Sequence, residues 1–533
     1  MATGLQPYAG AWTSSQVIHL LKRAMFGASQ ADISHFLAKG MNASVDELLM
    51  PGSMPAPPVK NYNDAPTTAG TDPDRALTAG ATWVDTTTSD GTVQGNRVNS
   101  FRSWWMGTLL QQHRSLREKM SLFWHNYFST KISAINNGRY LYRHHTLLRT
   151  HSLGNVKTLV RSVTVDPAML VFLNGQLNTK TAPDENYGRE LQELFTLGKE
   201  NSPNYSEDDV KAAARILSGW RNDYAKNSSY FDSTRHDSND KVFSAFYGSR
   251  VIKGRTGPTA GDLEIDELID MIFSKQLEVS RHVVSRLYRW FVYYDIDNET
   301  KVNVIEPLAA KLVTSNWDIK PVLSMLFRSA HFYDLANQGC QIKSPIDLIV
   351  GACREFKVLF PASTDFLNQY VHWNYLRNWS SNLGQALGDP PDVSGWAAYY
   401  QSPNFYGMWI NSDTYPRRNQ YTDMLSVSGY TANNFKLIVD HIAYARSFSN
   451  PGDPNLLIKD ITQHLLRIPL SIASSFQLKK DILLSGQDQD YYWTNAWNAH
   501  IANPNDAAAL RVVQTRLQSL IRYIMNLPEY QLA

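Results

Sequence analysis

Cysteine is nearly absent from this 533-residue chain, with only Cys340 and Cys353 present. Neither sits in a C-x-x-C pair, which excludes a thiolate zinc site. Two free thiols packed in the interior are expected, and the redox compartment stays open. No run of about 18 apolar residues occurs, so no transmembrane helix is expected. The first residues carry neither a basic n-region nor an apolar h-region and do not read as a signal peptide. Charge of one sign is also missing: 51 basic residues face 49 acidic ones, for a formal charge of +2. That balance argues against nucleic acid or an anionic membrane as partner. There is no P-loop, no G-x-G-x-x-G after a strand, no G-x-S-x-G elbow and no H-E-x-x-H, so the common nucleotide, dinucleotide, serine-hydrolase and zincin signatures are excluded. No repeat of about 20 to 50 residues appears.

What the chain has in excess is aromatic surface: 14 Trp, 27 Tyr and 21 Phe. Such rings supply large apolar area and flat stacking surfaces. Apolar residues recur at helical spacing over most of the length, and short β-like runs appear only around residues 230–246. The expected fold class is mainly α: a large multi-helix globular protein with long irregular loops and minor β-hairpin content. Residues 1–50 read as N-terminal helices that belong to the core. Residues 51–97, rich in Pro, Thr and Gly, read as a long surface loop. Residues 98–420 read as the main helical domain with every candidate site motif, and residues 421–533 as a C-terminal helical region packed on it.

Four places concentrate chemistry. In residues 184–195, Tyr187, Leu191, Leu194 and Phe195 form an apolar stripe, and Asn186, Arg189, Glu190 and Glu193 share the other face of one helix. That face is either solvated, with a Glu185–Arg189 pair, or part of a buried polar site. In residues 116–128, Glu118, Ser121 and His125 fall on one helical face. His125 suits proton transfer or metal ligation, or else is a satisfied core histidine. Residues 230–246 place Arg235, His236, Asp237, Asp240 and Lys241 on a turn, as solvation or as a His-Asp pair brought to a cleft. Residues 383–409, rich in Gly, Pro and aromatics, carry Trp396 and Trp409, which either stack on a flat ligand or plug the core. The acidic residues 207–209 read as a helix start, with Ser206 and Asp209 as a capping box.

Eight motifs occur in order: H-L-L-K-R-A-M-F-G (19–27), R-E-K-M-S-L-F-W-H-N-Y-F (117–128), D-P-A-M-L (166–170), E-N-Y-G-R-E-L-Q-E-L-F-T-L-G (185–198), Y-S-E-D-D-V-K-A-A-A-R-I-L-S-G-W (205–220), H-D-S-N-D-K (236–241), K-S-P-I-D (343–347) and P-P-D-V-S-G-W (390–396). Together they resemble the bacterial family known as Domain of Unknown Function 1800, from about His19 to Arg418. The resemblance implies a largely helical protein and points to extracytoplasmic members, although no signal peptide is seen in this chain. It also implies a partner encoded nearby that resembles alkaline-phosphatase-type or sulfatase-type hydrolases. Its motif positions are Glu118, His125 and Asn126; Glu185, Asn186, Arg189, Glu190 and Glu193; and His236, Asp237 and Lys241. The chain departs from the pattern at Asp184, Tyr127 and Asn239, where the family favours Asn, His and Gly.

Two functions follow as expectations. In the first, the protein is a hydrolase acting on a polar polymer or glycan. Glu190, Glu193, His125, His236 and Asp237 would be its catalytic set, and Arg189, Asn186, Lys241, Trp396 and Trp409 its substrate-binding set. A divalent metal, the one candidate cofactor, would sit on Glu118, His125 and Glu190. In the second, the protein is a non-catalytic binding or assembly protein whose polar helix faces are internal hydrogen-bond networks that fix register.

Overall fold

The computed structural model describes residues 4–64, 72–198, 205–397 and 404–533. Helices dominate it, and strands form only three two-stranded antiparallel ribbons among the described residues. The helix starts follow local chemistry. Thr13 caps Ser14–Ala24, Asp166 caps Pro167–Phe172 with proline in its first turn, and Ser206 and Asp209 close a capping box on Glu207–Ile216. The last long helix, Ala507–Met525, begins at the cap Asp506.

At the centre lies Arg117–Tyr127, a helix in which every residue is buried. A helix with no exposed stripe must be surrounded by others. Gly138–Thr150 packs beside it, and Gly91–Leu110 packs on Gly138–Thr150 and, along its length, on Phe366–Asn382. That last contact needs Gly107: a Cβ there would stand 2.6 Å from the Trp373 ring, so only glycine lets the indole lie on the helix backbone. The hydrophobic core is one continuous cluster, from Val17 through Trp105, Phe123, Leu287 and Ile349 to Leu520. The C-terminal helices join it from the N-terminal side. His464 Nε2 lies 2.6 Å from the Ala28 carbonyl, and Lys22 Nζ donates to the Leu465 carbonyl at 3.0 Å. Cys340 and Cys353 are both free thiols.

The Pro/Thr/Gly-rich stretch is tied to the core where it is described. Arg97, fully buried, donates to Asp74 Oδ2 at 3.0 Å and Oδ1 at 2.5 Å, and Tyr62 donates to the same carboxylate at 2.5 Å. Trp83 is also buried and donates to Ser100 Oγ at 3.0 Å. The helix Gly91–Leu110 starts well before residue 98, because Asp90 accepts from the Thr92 and Val93 amides.

Breaking the Asp74–Arg97 pair leaves an uncompensated buried charge. Arg97→Met should lower stability by about 3–5 kcal/mol in urea melts and expose residues 51–64 and 72–90 to limited proteolysis. A variant as stable and protease-resistant as the parent would refute this pinning.

Candidate functional site

The Glu118 helix places its polar groups on several neighbours. Glu118 makes a two-pronged ion pair with Arg149 of Gly138–Thr150, and both side chains are buried. Burial pushes the Glu118 carboxyl above its usual range, and the Arg149 charge opposes that rise. Seven residues further on, about 10 Å along the axis, His125 sits among rings. Its imidazole meets Trp105 edge-on at 4.9 Å and lies 5.8 Å from Trp396. Its Nε2 has no hydrogen-bond partner, and burial takes the imidazole down to about 3, so it is held neutral. His144 lies 6.5 Å from it and is paired through Nδ1 with Asp166 at 2.9 Å. Asn126 accepts from the Trp396 amide at 2.8 Å. Trp396 and Trp409, expected near the entry of a site, are enclosed at 2 % and 4 % exposure.

The helix of residues 184–195 is shorter than its pattern, Asn186–Glu193. Its apolar stripe is buried at Tyr187, Leu191 and Phe195. Its polar face is open: Asn186 is exposed, and Arg189, Glu190 and Glu193 are partly so. Arg189 holds Glu207 with both terminal nitrogens, at 2.6 and 2.7 Å, and reaches Glu185 at 3.2 Å. Those carboxylates raise the guanidinium further, so it is charged at any working pH.

The His236 loop is a closed ion network. Lys241, fully buried, donates to Glu264 at 2.5 Å and to the Asp237 carbonyl. His236 Nε2 stands 3.2 Å from the same Glu264, and its Nδ1 is 3.0 Å from the Ser218 carbonyl. Asp237 accepts from Arg215 at 2.7 Å and from the Asn239 amide at 2.8 Å. These donors outweigh its burial and hold its carboxyl down at about 2. Glu264 and Arg215 are the partners that sequence reasoning missed. Glu264 had a signal: with Ala260 and Leu268 it falls at i, i±4 on the buried face of Ala260–Phe273.

The site residues therefore stand in separate places. Among the described residues no ion pair joins the Glu118–Arg149 pair, His125 and the His236 network to one another. Among the described residues no three His, Cys, Asp or Glu side chains come together as metal ligands. The set Glu118, His125 and Glu190 does not fit a metal, because Glu118 is spent on Arg149 and His125 lies among indole rings.

One predicted residue does reach a cavity. Glu118 and Arg149 line a cleft of about 420 Å³ together with Trp104, Gln112, Tyr370 and Trp373. Its rim is the proline-rich segment 53–59, where the Ala56 carbonyl accepts from Trp104 Nε1 at 2.7 Å and the Val59 amide donates to the Tyr370 hydroxyl at 3.1 Å. Two buried polar atoms beside the cleft, Gln112 Oε1 and Trp373 Nε1, have no partner. Phe366, Tyr370 and Trp373 fall at i, i+4 and i+7, so one helix face carries that wall and the spacing alone could have shown it. Nothing local marks Arg149 as the partner of Glu118.

A mainly helical architecture with an aromatic cleft lined in part by a buried Arg–Glu pair is the class of protein defined here. The chain belongs to the family described as Protein of unknown function (DUF1800), which matches residues 19–532 and so includes the C-terminal helices. Neither the comparison with curated proteins nor that with solved structures gave a match.

Two pH dependences follow. The unfolded chain takes a proton near pH 6.5 that the buried His125 refuses until about 3, so stability falls as pH drops through that window. His125→Gln should flatten the slope between pH 6 and 5 by about 1.4 kcal/mol per unit in urea melts; an unchanged slope would count against a neutral, buried imidazole. Asp237 stabilises the fold above its unfolded value of about 3.9, and that contribution is lost as pH falls toward about 2. Asp237→Asn should be less stable at pH 7 and show a shallower acid transition below pH 4, followed by circular dichroism.

Proposed function

We propose that the protein is a binding protein for a polar polymer, a glycan segment first of all, held in the cleft between Gly91–Leu110, Arg117–Tyr127, Gly138–Thr150 and Phe366–Asn382. The observation that carries this reading is the cleft's composition. Trp104, Tyr370 and Trp373 line it with the small part of each ring left open, at 4–5 % exposure, and the Glu118–Arg149 pair, Gln112 and Thr108 line it with fixed polar groups. Sugar rings present apolar C–H faces that pack on aromatics and hydroxyls that bond to planar, charged groups. The volume lies within the usual range of ligand clefts. Gly107 fixes the Trp373 ring against the helix, so the platform is preorganised.

A hydrolase reading keeps one specific support, the raised carboxyl of Glu118 in an aromatic cleft, which is the environment of a general acid. Against it, acid/base glycoside hydrolysis uses two carboxylates. Glu118 is the only carboxylate among the described residues that line the cleft, and Arg149 occupies both of its oxygens.

Titration of the full chain with a panel of neutral and acidic oligosaccharides, read by tryptophan fluorescence and calorimetry, tests the proposal. A ligand should bind with heat and a fluorescence change, and Trp373→Ala should weaken it about tenfold, an effect of ~1.4 kcal/mol. The reading fails if no oligosaccharide binds below millimolar concentration. Released reducing ends that disappear in Glu118→Gln would favour the hydrolase instead.

A further inference from the structure

A second place draws on three of the ordered motifs, residues 19–27, 117–128 and 343–347. Gly27, at φ +75°, presses on Gly351, where a Cβ would stand 2.8 Å from backbone. This close approach sets Ser14–Ala24 against Pro345–Glu355 and brings Lys22 to Glu355 at 2.9 Å. The Glu118 helix adds Lys119, which pairs with Asp347. Between them lies an enclosed cavity of about 20 Å³, whose charged lining is Lys22, Arg23, Lys119, Arg289, Lys343 and Asp347. A single water needs about 10–15 Å³, so the space suits one small body.

The charges around this cavity do not balance. Lys22 and Lys119 each have a carboxylate, Glu355 and Asp347. Arg23 spends its guanidinium on the Val292, Asn337 and Ala533 backbone oxygens at 2.8–3.1 Å. Lys343 is 5 % exposed, and its ammonium makes no hydrogen bond or ion pair; it stands only over the Tyr530 ring, at 3.8 Å. A carboxylate at Ala533 would still leave cations in excess. Buried charge that is not paired is costly and calls for a counter-ion. Exposed lysines would find one in solvent, but these groups are enclosed.

We infer that this cavity binds one small inorganic anion, chloride or a compact oxyanion, bridging Lys343 to the Lys22 and Lys119 side of the cavity. Lys343 is the group that makes the site switchable. Lys22 faces it from the first helix, Arg418 from Thr414–Asp423, Asp347 and Glu355 from Pro345–Glu355, and Tyr530 from the C-terminal segment, while Lys119 from Arg117–Tyr127 and Arg289 from Gln276–Phe291 line the same cavity. Burial foremost, then the Lys22 charge, takes the Lys343 ammonium down to about 7. Above that pH the amine is neutral and its attraction for an anion is lost.

The test uses the full chain in potassium gluconate, whose anion is too large for the space. Chloride or sulfate is titrated in at fixed ionic strength, with melting temperature as the readout. A saturable rise of about 2 °C or more is expected at pH 6, weaker at pH 8.5, and absent in Lys343→Met. The anion that acts, chloride or sulfate, identifies the ligand. Because Lys343→Met could fail to fold, crystals of the unaltered protein grown in sodium bromide give an independent answer: an anomalous peak within about 4 Å of the Lys343 ammonium, the reach of an ion pair. Melting temperatures that follow ionic strength alone, with no bromide peak in the cavity, would overturn the inference.

Discussion

The structure depends on a single constraint: a helix buried on every side carries charged residues on more than one face. Glu118 and Lys119 are neighbours in sequence, so they point to different neighbours, and both are buried. Each must therefore be met by an opposite charge from another element, Arg149 for one and Asp347 for the other. The remaining polar groups follow the same rule. Trp124 Nε1 donates to the Ser152 carbonyl, Tyr127 to the Phe195 carbonyl, and Asn126 takes the Trp396 amide. Each of these bonds reaches a different segment, so the helix fixes where those segments lie.

This changes the meaning of the ordered motifs. Acidic, basic and imidazole groups in three separated stretches suggest convergence on one reacting centre. In the fold most of them are spent locally. Lys241, His236 and Glu264 hold a loop onto Ala260–Phe273, Arg189 joins the starts of two helices, and His144 with Asp166 ties a helix cap to Gly138–Thr150. Two places are left over. The Glu118–Arg149 pair opens on an aromatic cleft, and the Lys343 ammonium is in no ion pair, the nearby Asp347 and Glu355 being paired with Lys119 and Lys22. The cleft is lined by Glu118 and the cavity by Lys119, adjacent residues about 100° apart on the central helix.

Local physics was legible. Capping residues, the proline at position 167, the capping box at 206–209 and the apolar stripe of residues 187–195 act over a few residues, and the helices form where they indicate. The mainly helical class and the family follow from the same periodicity and motifs. Pairings were not legible. Glu118 and Arg149 are 31 residues apart, and Lys241 and Glu264 are 23 apart. No spacing rule links them, because the packing of two helices decides which side chains meet. The indoles of Trp396 and Trp409 show the same limit. A Gly/Pro/aromatic loop reads equally as a surface platform or as a core plug, and here the rings are enclosed.

By itself the sequence determined most of the helices, several of their caps, the helical class and the family, because these rest on periodicity and on contacts within a turn or two. Only the tertiary structure decided which charges are neutralised and which remain. Burial makes an unpaired charge costly, and whether a group is buried beside an opposite charge depends on elements far apart in the chain. That is why the Glu264 network closes on itself, while Glu118 faces a cleft and Lys343 faces a cavity.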